Sequence, residues 1–277
     1  MTTLLSWIGV DSRTPSSIYL ASDSRISWGS KSQWDTGRKL FASKTKPEIF
    51  GYCGDVIFPI QVLGQLVEQI DNGLFFSENE EFTSKLEKVR RVVDESFSGL
   101  PEEQQRSFQI LYVSRDGSRM ESKFFAGNIS LNSEHKIVAE NIPNPPESGL
   151  IVGKGSGSAS LKRWYNTWIE SNYKDPDGVS RTSRSVFSAF CDSLESKEDP
   201  LSGGAPQLVG LYRIGAAISF GIVHNGERYF NGLPVENATE LSGVEWRNSL
   251  FERCNGESME LIKGAQKQPR PNTIIKP

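Results

Sequence analysis

The sequence predicts an α+β fold, because its predicted strands and helices occur in separate blocks along 277 residues. The order is strands, two helices, strands, two helices and strands, and the first strands are joined by connections too short for crossover helices. Such an order favours antiparallel sheets over a parallel βαβ sheet, and two stacked antiparallel sheets with helices outside would fit it. The length allows one large domain or two small ones.

The elements follow from apolar periodicity and from turn residues. Apolar or alternating runs predict strands, and apolar positions three and four residues apart predict helices. The predicted strands are 3–10, 18–21, 39–42, 49–53, 108–114, 118–126, 150–152, 206–213 and 216–223. The predicted helices are 59–70, 80–97, 160–171 and 183–194. The proline-containing segment after Gln266 predicts a loose tail.

Composition argues against several function classes. The formal net charge of −3 gives no reason to expect nucleic acid or an anionic membrane as the main partner. Three scattered cysteines and two distant histidines disfavour a disulfide framework, a metal site and a Ser-His-Asp mechanism. No apolar run is long enough for a membrane span, and the first residues lack a signal peptide's features. We therefore expect a cytoplasmic protein.

Two features have ordinary interpretations. The run Gly153–Ser158 precedes a predicted helix and could cradle a phosphate, but it fits neither a P-loop nor a clear dinucleotide fingerprint. The tryptophans indicate core or subunit-contact positions, since no basic stripe accompanies them. These tryptophans are Trp28, Trp34, Trp164 and Trp168, and surface or interface positions are expected for His135 and His224.

The start of the chain offers a nucleophile that needs no histidine. Thr2 follows the initiator methionine, and a small second residue usually permits removal of that methionine. The α-amine thus exposed would have a pKa of about 7.7–8.0, which suits a general base near neutral pH. It would belong to the same residue as the hydroxyl it activates, as in threonine nucleophiles with an N-terminal amine.

Several short motifs resemble those of proteasome β subunits. Ser22-Asp23-Ser24-Arg25 resembles the family's strand end, and Lys39 follows Asp23 by sixteen residues, as the family's catalytic lysine does. Three further segments resemble the oxyanion-hole turn, the Gly-Ser turn and the late acidic loop: Tyr52-Cys53-Gly54, Gly155-Ser156-Gly157-Ser158 and Asp199-Pro200-Leu201-Ser202-Gly203-Gly204. They occur in the family's order between residue 2 and about residue 224. The chain resembles the proteasome/HslV/Anbu group of N-terminal-nucleophile hydrolases.

This resemblance implies a four-layer αββα sandwich and a role for each matched residue. Thr2 would be the nucleophile, Asp23 would hold Lys39 beside it, and the Gly54 N–H would stabilise the oxyanion. Tyr52 would lie near the floor of the pocket for the substrate side chain. The residues implied around the threonine amine are Ser156, Asp199 and Ser202.

The resemblance further implies a threonine peptidase that forms an acyl-enzyme, needs no metal or organic cofactor, and works as a homo-oligomeric ring on peptide or unfolded protein. An ATPase partner is a candidate, because the family's access control often comes from one. Two alternatives stay open: a non-catalytic ring subunit of the same fold, and a related amidohydrolase acting on a small amide.

The chain also departs from the family. The first turn, 11–17, is longer, Lys154 is an insertion in the glycine turn, and Cys53 replaces the usual alanine. No propeptide is expected, since Thr2 directly follows the methionine. We expect a proteasome-like domain over 1–225 and a C-terminal extension over 226–277 that ends in the loose tail.

Overall fold

A computed structural model describes residues 2–29, 32–171, 182–237 and 243–271. Within these ranges the fold is mixed α/β, with four α-helices and seventeen β-strands. The first half contains β1 (Leu4–Val10), β2 (Pro15–Ser22), β3 (Ile26–Trp28), β4 (Ser32–Trp34), β5 (Leu40–Ala42), β6 (Glu48–Gly54), α1 (Ile57–Asp71), α2 (Phe82–Ser98), β7 (Phe108–Asp116) and β8 (Lys123–Leu131).

The second half of the chain adds β9 (Ile137–Ile142), β10 (Gly149–Lys154), α3 (Ser158–Ser171), α4 (Ser183–Glu195), β11 (Gln207–Tyr212), β12 (Ile218–Ser219), β13 (Gly221–His224), β14 (Glu227–Phe230), β15 (Leu233–Pro234), β16 (Trp246–Asn248) and β17 (Arg253–Cys254). All four predicted helices are confirmed, and their ends differ from the prediction by at most two residues.

The strands form three five-stranded sheets and one hairpin. The first sheet has the order β10-β1-β2-β11-β12, and the second has the order β5-β6-β7-β8-β9. Both are antiparallel throughout. The third sheet, β15-β14-β13-β16-β17, contains one parallel pair, and β3 with β4 makes the hairpin. The expectation of antiparallel sheets is thus confirmed for the first two sheets.

Side-chain alternation divides the core among these layers. Leu4 and Ile8 of β1 belong to an apolar cluster that the first and second sheets share. Leu5 and Trp7, on the opposite face of the same strand, pack with residues of α3 and α4. A third cluster joins α1 and α2 to the second sheet. A strand buried on both faces in this way needs apolar residues at nearly every position, which explains the near-continuous apolar run of β1.

Strand register brings the ends of several strands together. Leu4 pairs with Ser22 on one side and with Lys154 on the other, and Gln207 also pairs with Ser22. The start of β1, the ends of β2 and β10, and the start of β11 therefore lie at one edge of the first sheet. The residues that adjoin these ends are Thr2, Thr3, Asp23, Ser156 and the loop 199–204.

The structure differs from the sequence prediction in several strand regions. The β3–β4 hairpin, β9 and β14 to β17 were not predicted, and β8 begins at Lys123, five residues later than expected. The predicted strand 216–223 is divided between β12 in the first sheet and β13 in the third. Phe220 lies at this division, and burial of its side chain among the residues that contact α3 and α4 accounts for the break.

The tryptophans were predicted to be core or subunit-contact residues, and the structure confirms a core position for one of them and excludes a core position for two. Trp168 is fully buried, as expected for a core residue. Trp28 and Trp34 are 61% and 50% exposed, so neither is a core residue. Both belong to the short hairpin, whose two strands have too few neighbours to cover large side chains.

The C-terminal part is joined to the rest of the fold by hydrogen bonds between strands. The expected boundary after residue 225 falls in the turn between β13 and β14, which pair with each other. The segment after Gln266 is packed rather than loose over its described part. The Gln268 N–H donates to Glu252 at 2.7 Å, and Arg270 forms a 2.6 Å ion pair with the buried Asp192 of α4. These polar anchors cannot be read from a proline-containing composition.

Candidate active site

A buried ion pair lies where the first and second sheets meet. Lys39 Nζ is 2.9 Å from Asp23 Oδ1, and the two side chains are 1% and 0% exposed. Lys39 precedes β5 of the second sheet, while Asp23 follows β2 of the first. The Lys39 N–H donates to the side chain of Gln207 at 3.0 Å, which ties the two sheets together at this point.

Both oxygens of the Asp23 carboxylate accept hydrogen bonds. Besides Lys39, its Oδ1 accepts the Thr3 N–H at 2.9 Å, and its Oδ2 accepts the N–H groups of Arg25 at 3.1 Å and Gly203 at 2.9 Å. Burying a carboxylate is costly unless it is paired and hydrogen-bonded, and three backbone donors with one ammonium meet this requirement. Asp23 is therefore fixed independently of Lys39.

The Lys39 ammonium is less completely satisfied than Asp23. It donates to Asp23 and, at 2.5 Å, to the Arg25 carbonyl. Among the described residues, its third hydrogen has no acceptor within hydrogen-bond distance. Burial lowers the pKa of Lys39 below its usual 10.5, and the Asp23 carboxylate opposes this shift. A buried lysine with lowered proton affinity is typical of functional sites, although structural ion pairs also shift pKa values.

A second polar cluster joins the Gly-Ser turn to the acidic loop. Ser156 Oγ and Ser202 Oγ each donate to Asp199 Oδ2 at 2.7 Å. Asp199 Oδ1 accepts the Leu201 N–H at 3.1 Å, which closes the loop on itself. One carboxylate oxygen thus orients two hydroxyls, one from the Gly-Ser turn and one from the acidic loop.

Thr2 contacts the second cluster and is covalently joined to Thr3, which contacts the first. It is 2% exposed, and its backbone nitrogen donates to Ser156 Oγ at 3.2 Å. Its carbonyl accepts the Gly157 N–H at 3.4 Å. A Cβ at Gly155, where φ is +85°, would lie 2.0 Å from the Thr2 oxygen. The turn after β10 can therefore approach Thr2 only with glycine at position 155.

Gly54 and Tyr52 occupy different environments at the end of β6. Gly54 is exposed and has φ of +98°, and a Cβ there would lie 2.6 Å from the Ser107 carbonyl. Tyr52 is buried in the cluster that faces α1 and α2, and its hydroxyl donates to the Arg38 carbonyl at 3.1 Å. Burial raises the pKa of Tyr52, so it remains a neutral side chain.

Two supporting residues, Thr3 and Gln207, were given no role by the sequence analysis, and a third, Gly203, entered it only as part of the acidic-loop motif. Thr3 donates its N–H to Asp23 and its hydroxyl to Ser202, the latter at 2.8 Å. The Gln207 amide donates to Ser24 and to the Gly37 carbonyl and accepts from Lys39. Gly203 supplies a backbone donor to Asp23. In the sequence, Thr3 is marked only by its position next to Thr2, and this position does not indicate a hydrogen-bonding role.

The site offers hydroxyl, amine and carboxylate chemistry. In the described ranges, no group of three or more histidine, cysteine or acidic side chains is arranged to hold a metal ion. No helix in the described part of the chain is long and apolar enough to cross a membrane. Cys53 lies close to Lys39, and burial raises the pKa of its thiol to about 11, so the thiol stays protonated near neutral pH.

Comparison with known proteins finds similarity at the level of solved structures. No protein-family model matches the sequence, and no curated protein matches it either. The chain is similar to the crystal structure of eukaryotic HslV from Trypanosoma brucei, with 14% identity and a TM-score of 0.43. The match covers 75% of this chain and 99% of that one. At this level of similarity, the function is better judged from the geometry of the site.

Proposed function

We propose that the chain is a threonine peptidase with the N-terminal-nucleophile fold, a four-layer αββα sandwich. Thr2, freed of Met1, attacks the carbonyl of a peptide bond and forms an acyl-enzyme. One observation carries this proposal: the Thr2 nitrogen is 3.2 Å from Ser156 Oγ, which donates to Asp199, and the buried Asp23–Lys39 pair is bonded to the adjacent residue, Thr3. The layered apolar clusters support the architecture.

In the proposed mechanism, removal of Met1 turns the Thr2 amide nitrogen into an amine that can accept a proton. Ser156 and Asp199 orient this amine, so that its lone pair faces the threonine hydroxyl. In this mechanism Lys39, held by Asp23, lowers the proton affinity of that hydroxyl by its positive charge. The hydroxyl oxygen bonds to the substrate carbonyl carbon as its proton passes to the amine.

The remaining steps return the enzyme to its starting state. The Gly54 N–H stabilises the oxyanion, and loss of one such donor typically costs about 2.7–4 kcal/mol of transition-state stabilisation. The protonated amine gives its proton to the leaving nitrogen, which releases the first product. Water then hydrolyses the ester with the amine again as base, and the second product leaves as a carboxylic acid.

The assembly and substrate belong to the same proposal. We propose a homo-oligomeric ring, located in the cytoplasm, that encloses its sites and acts on peptide or unfolded protein, with an ATPase controlling access. Residues 1–225 form the proposed catalytic domain, and residues 226–277 form the extension. Light scattering on the purified protein measures the ring directly, and a monomer would favour the small-amide alternative.

The test uses protein that is released from an N-terminal fusion so that it begins at Thr2. Incubation with a peptide epoxyketone, which needs both a threonine hydroxyl and a free amine, should add one inhibitor mass per chain. The Thr2→Ala variant should add none, and both proteins should unfold at the same temperature. A folded wild-type protein that takes up no inhibitor and cleaves no peptide would refute the proposal. Inhibitor uptake without peptide cleavage would favour a small amide substrate.

The natural start of the chain is tested separately. The intact mass of protein purified from its own cells should correspond to loss of Met1, since the amine is otherwise held in a peptide bond. Native protein that retains Met1 and does not react, beside a reactive form beginning at Thr2, would identify the native chain as an unprocessed or structural subunit.

A further inference from the structure

We infer that Thr3 is a positioning residue for the nucleophile, because it joins the two polar clusters of the site. Its N–H donates to Asp23 Oδ1 at 2.9 Å, on the same oxygen that Lys39 contacts. Its hydroxyl donates to Ser202 Oγ at 2.8 Å, and Ser202 donates in turn to Asp199. This inference rests on the proposed function and extends it to a residue for which no role was assigned.

The hydrogen bonds form one continuous path through Thr3. From the ammonium of Lys39 the path runs to Asp23 and Thr3, then to Ser202 and Asp199. It ends on Ser156, which accepts from the Thr2 nitrogen. The described donor–acceptor distances along it lie between 2.7 and 3.2 Å. Thr3 is the link between the group proposed to act on the hydroxyl and the groups proposed to orient the amine.

Steric contacts confine Thr3 to this position. The residue is 1% exposed, and its carbonyl accepts the Asp23 N–H at 3.3 Å. A Cβ at Gly157 would lie 1.8 Å from Thr3 Oγ1, so the turn after β10 closes directly over the hydroxyl. A threonine side chain held by its backbone, its hydroxyl and a close neighbour has little freedom to rotate.

The fixed position of Thr3 also limits the positions that Thr2 can take, because the two residues are covalently joined. Fixing the Thr3 backbone on Asp23 sets the direction in which Thr2 leaves β1. Reacting groups held within hydrogen-bond reach gain much of their rate from such orientation, and a misplacement of about 1 Å can cost about 100-fold. Loss of the Thr3 hydroxyl should therefore slow acylation without weakening inhibitor or substrate binding.

The test compares Thr3→Val, which keeps the branched shape but removes the hydroxyl, with Thr3→Ser, which keeps the hydroxyl. All proteins begin at Thr2, and the measured quantities are the maximal inactivation rate and the binding constant of a peptide epoxyketone. Thr3→Val should lower the rate by about 10- to 100-fold with an unchanged binding constant. Thr3→Ser should react at about the wild-type rate. Equal rates for wild type and Thr3→Val would overturn the inference, as would a slow Thr3→Ser variant.

A second variant keeps the inference falsifiable if Thr3→Val does not fold. Ser202→Ala removes the acceptor of the same hydrogen bond and should lower the rate similarly. A wild-type rate in Ser202→Ala would by itself overturn the inference. Where Thr3→Val folds, the two losses should not add in the double variant, because they break one path. Fully additive losses would show that the hydroxyls act independently and would overturn the inference. A wild-type protein that never reacts refutes the proposed function itself, and is distinguished from these outcomes.

Discussion

Two buried lysines lie near opposite ends of strand β6, and their surroundings differ. Lys39 lies beside the end that carries Gly54, whereas Lys85 of α2 contacts Glu48 at the other end. Lys39 is 1% exposed and Lys85 is 8% exposed. Burial favours the neutral form of both amines, so the difference between them comes from their partners.

Lys85 is enclosed by more negative charge than Lys39. It pairs with Glu48 at 3.0 Å and with Asp116 at 2.9 Å, and Ser114 Oγ is 3.4 Å away. Burial lowers the pKa of Lys85, but the two carboxylates outweigh burial and the net pKa is raised. Lys39 has one carboxylate, and burial prevails. Lys85, whose charge is offset by two carboxylates, is typical of a structural network. Lys39, whose pKa is lowered by burial, is typical of a functional site.

The largest expected effect is loss of activity in Lys39→Met. Methionine fills a similar volume but removes the charge that lowers the proton affinity of the Thr2 hydroxyl. Positioned acid–base groups of this kind contribute about 100- to 10,000-fold, and we expect a fall in peptide hydrolysis within that range. Asp23 keeps three backbone donors, so the variant should still fold. Rates are compared by peptide hydrolysis and folding by circular dichroism; normal cleavage by this variant would contradict the site assignment.

The matched substitution, Lys85→Met, should affect stability and leave the reaction intact. It leaves Glu48 buried without its cation, and breaking a buried ion pair from one side costs about 3–5 kcal/mol of unfolding free energy. Denaturant unfolding measures this loss. Inhibitor uptake per folded chain should equal that of wild type, and an activity loss as large as that of Lys39→Met would erase the distinction between the two lysines.

The stability deficit of Lys85→Met should depend on pH. Burial already raises the pKa of Glu48, and removal of Lys85 raises it further. A carboxyl whose pKa is higher in the folded state takes up protons on folding, so stability falls as pH rises through that pKa. The deficit should therefore be smallest in acid and grow toward neutral pH.

The sequence predicted the proposed site better than the periphery of the molecule. The resemblance to proteasome β subunits, in which the catalytic lysine has the same spacing, implied that Asp23 and Lys39 would pair, and the structure has them 2.9 Å apart. Helices were predictable because their apolar periodicity extends over thirteen residues or more. The rest of the third sheet, β14 to β17, was missed because these strands have two to four residues, too few to establish a period.

Supporting contacts could not be predicted, for a different reason. Thr3, Gln207 and Gly203 act through atoms that every threonine, glutamine or backbone possesses. Their roles depend on which strands are neighbours, and register is a property of the folded sheet. The packed segment around Gln268 and Arg270 is similar, since its anchors lie on α4 and in the loop before β17.

The smallest expected effect extends the comparison to single methyl groups on two glycines. At Gly157, alanine would place a Cβ 1.8 Å from Thr3 Oγ1 and 2.9 Å from Ser202 Oγ. The Thr3 hydroxyl would have to move, which should cost about 1–3 kcal/mol of unfolding free energy and slow acylation. At Gly64 of α1, nothing lies within 4 Å of the added Cβ. Gly64→Ala should therefore add about 0.5–1 kcal/mol of stability through helix propensity and leave acylation unchanged.

Denaturant unfolding and inhibitor uptake are measured on both glycine variants. A loss confined to Gly157→Ala reports close packing at the site, because Gly64→Ala shows how the fold responds to an added methyl group elsewhere. If Gly157→Ala were as stable and reactive as wild type, the turn after β10 would be free to move away from Thr3. The contact between this turn and Thr3 would then not fix the proposed nucleophile. The contrast between the two ends of β6 would depend on the two lysines alone.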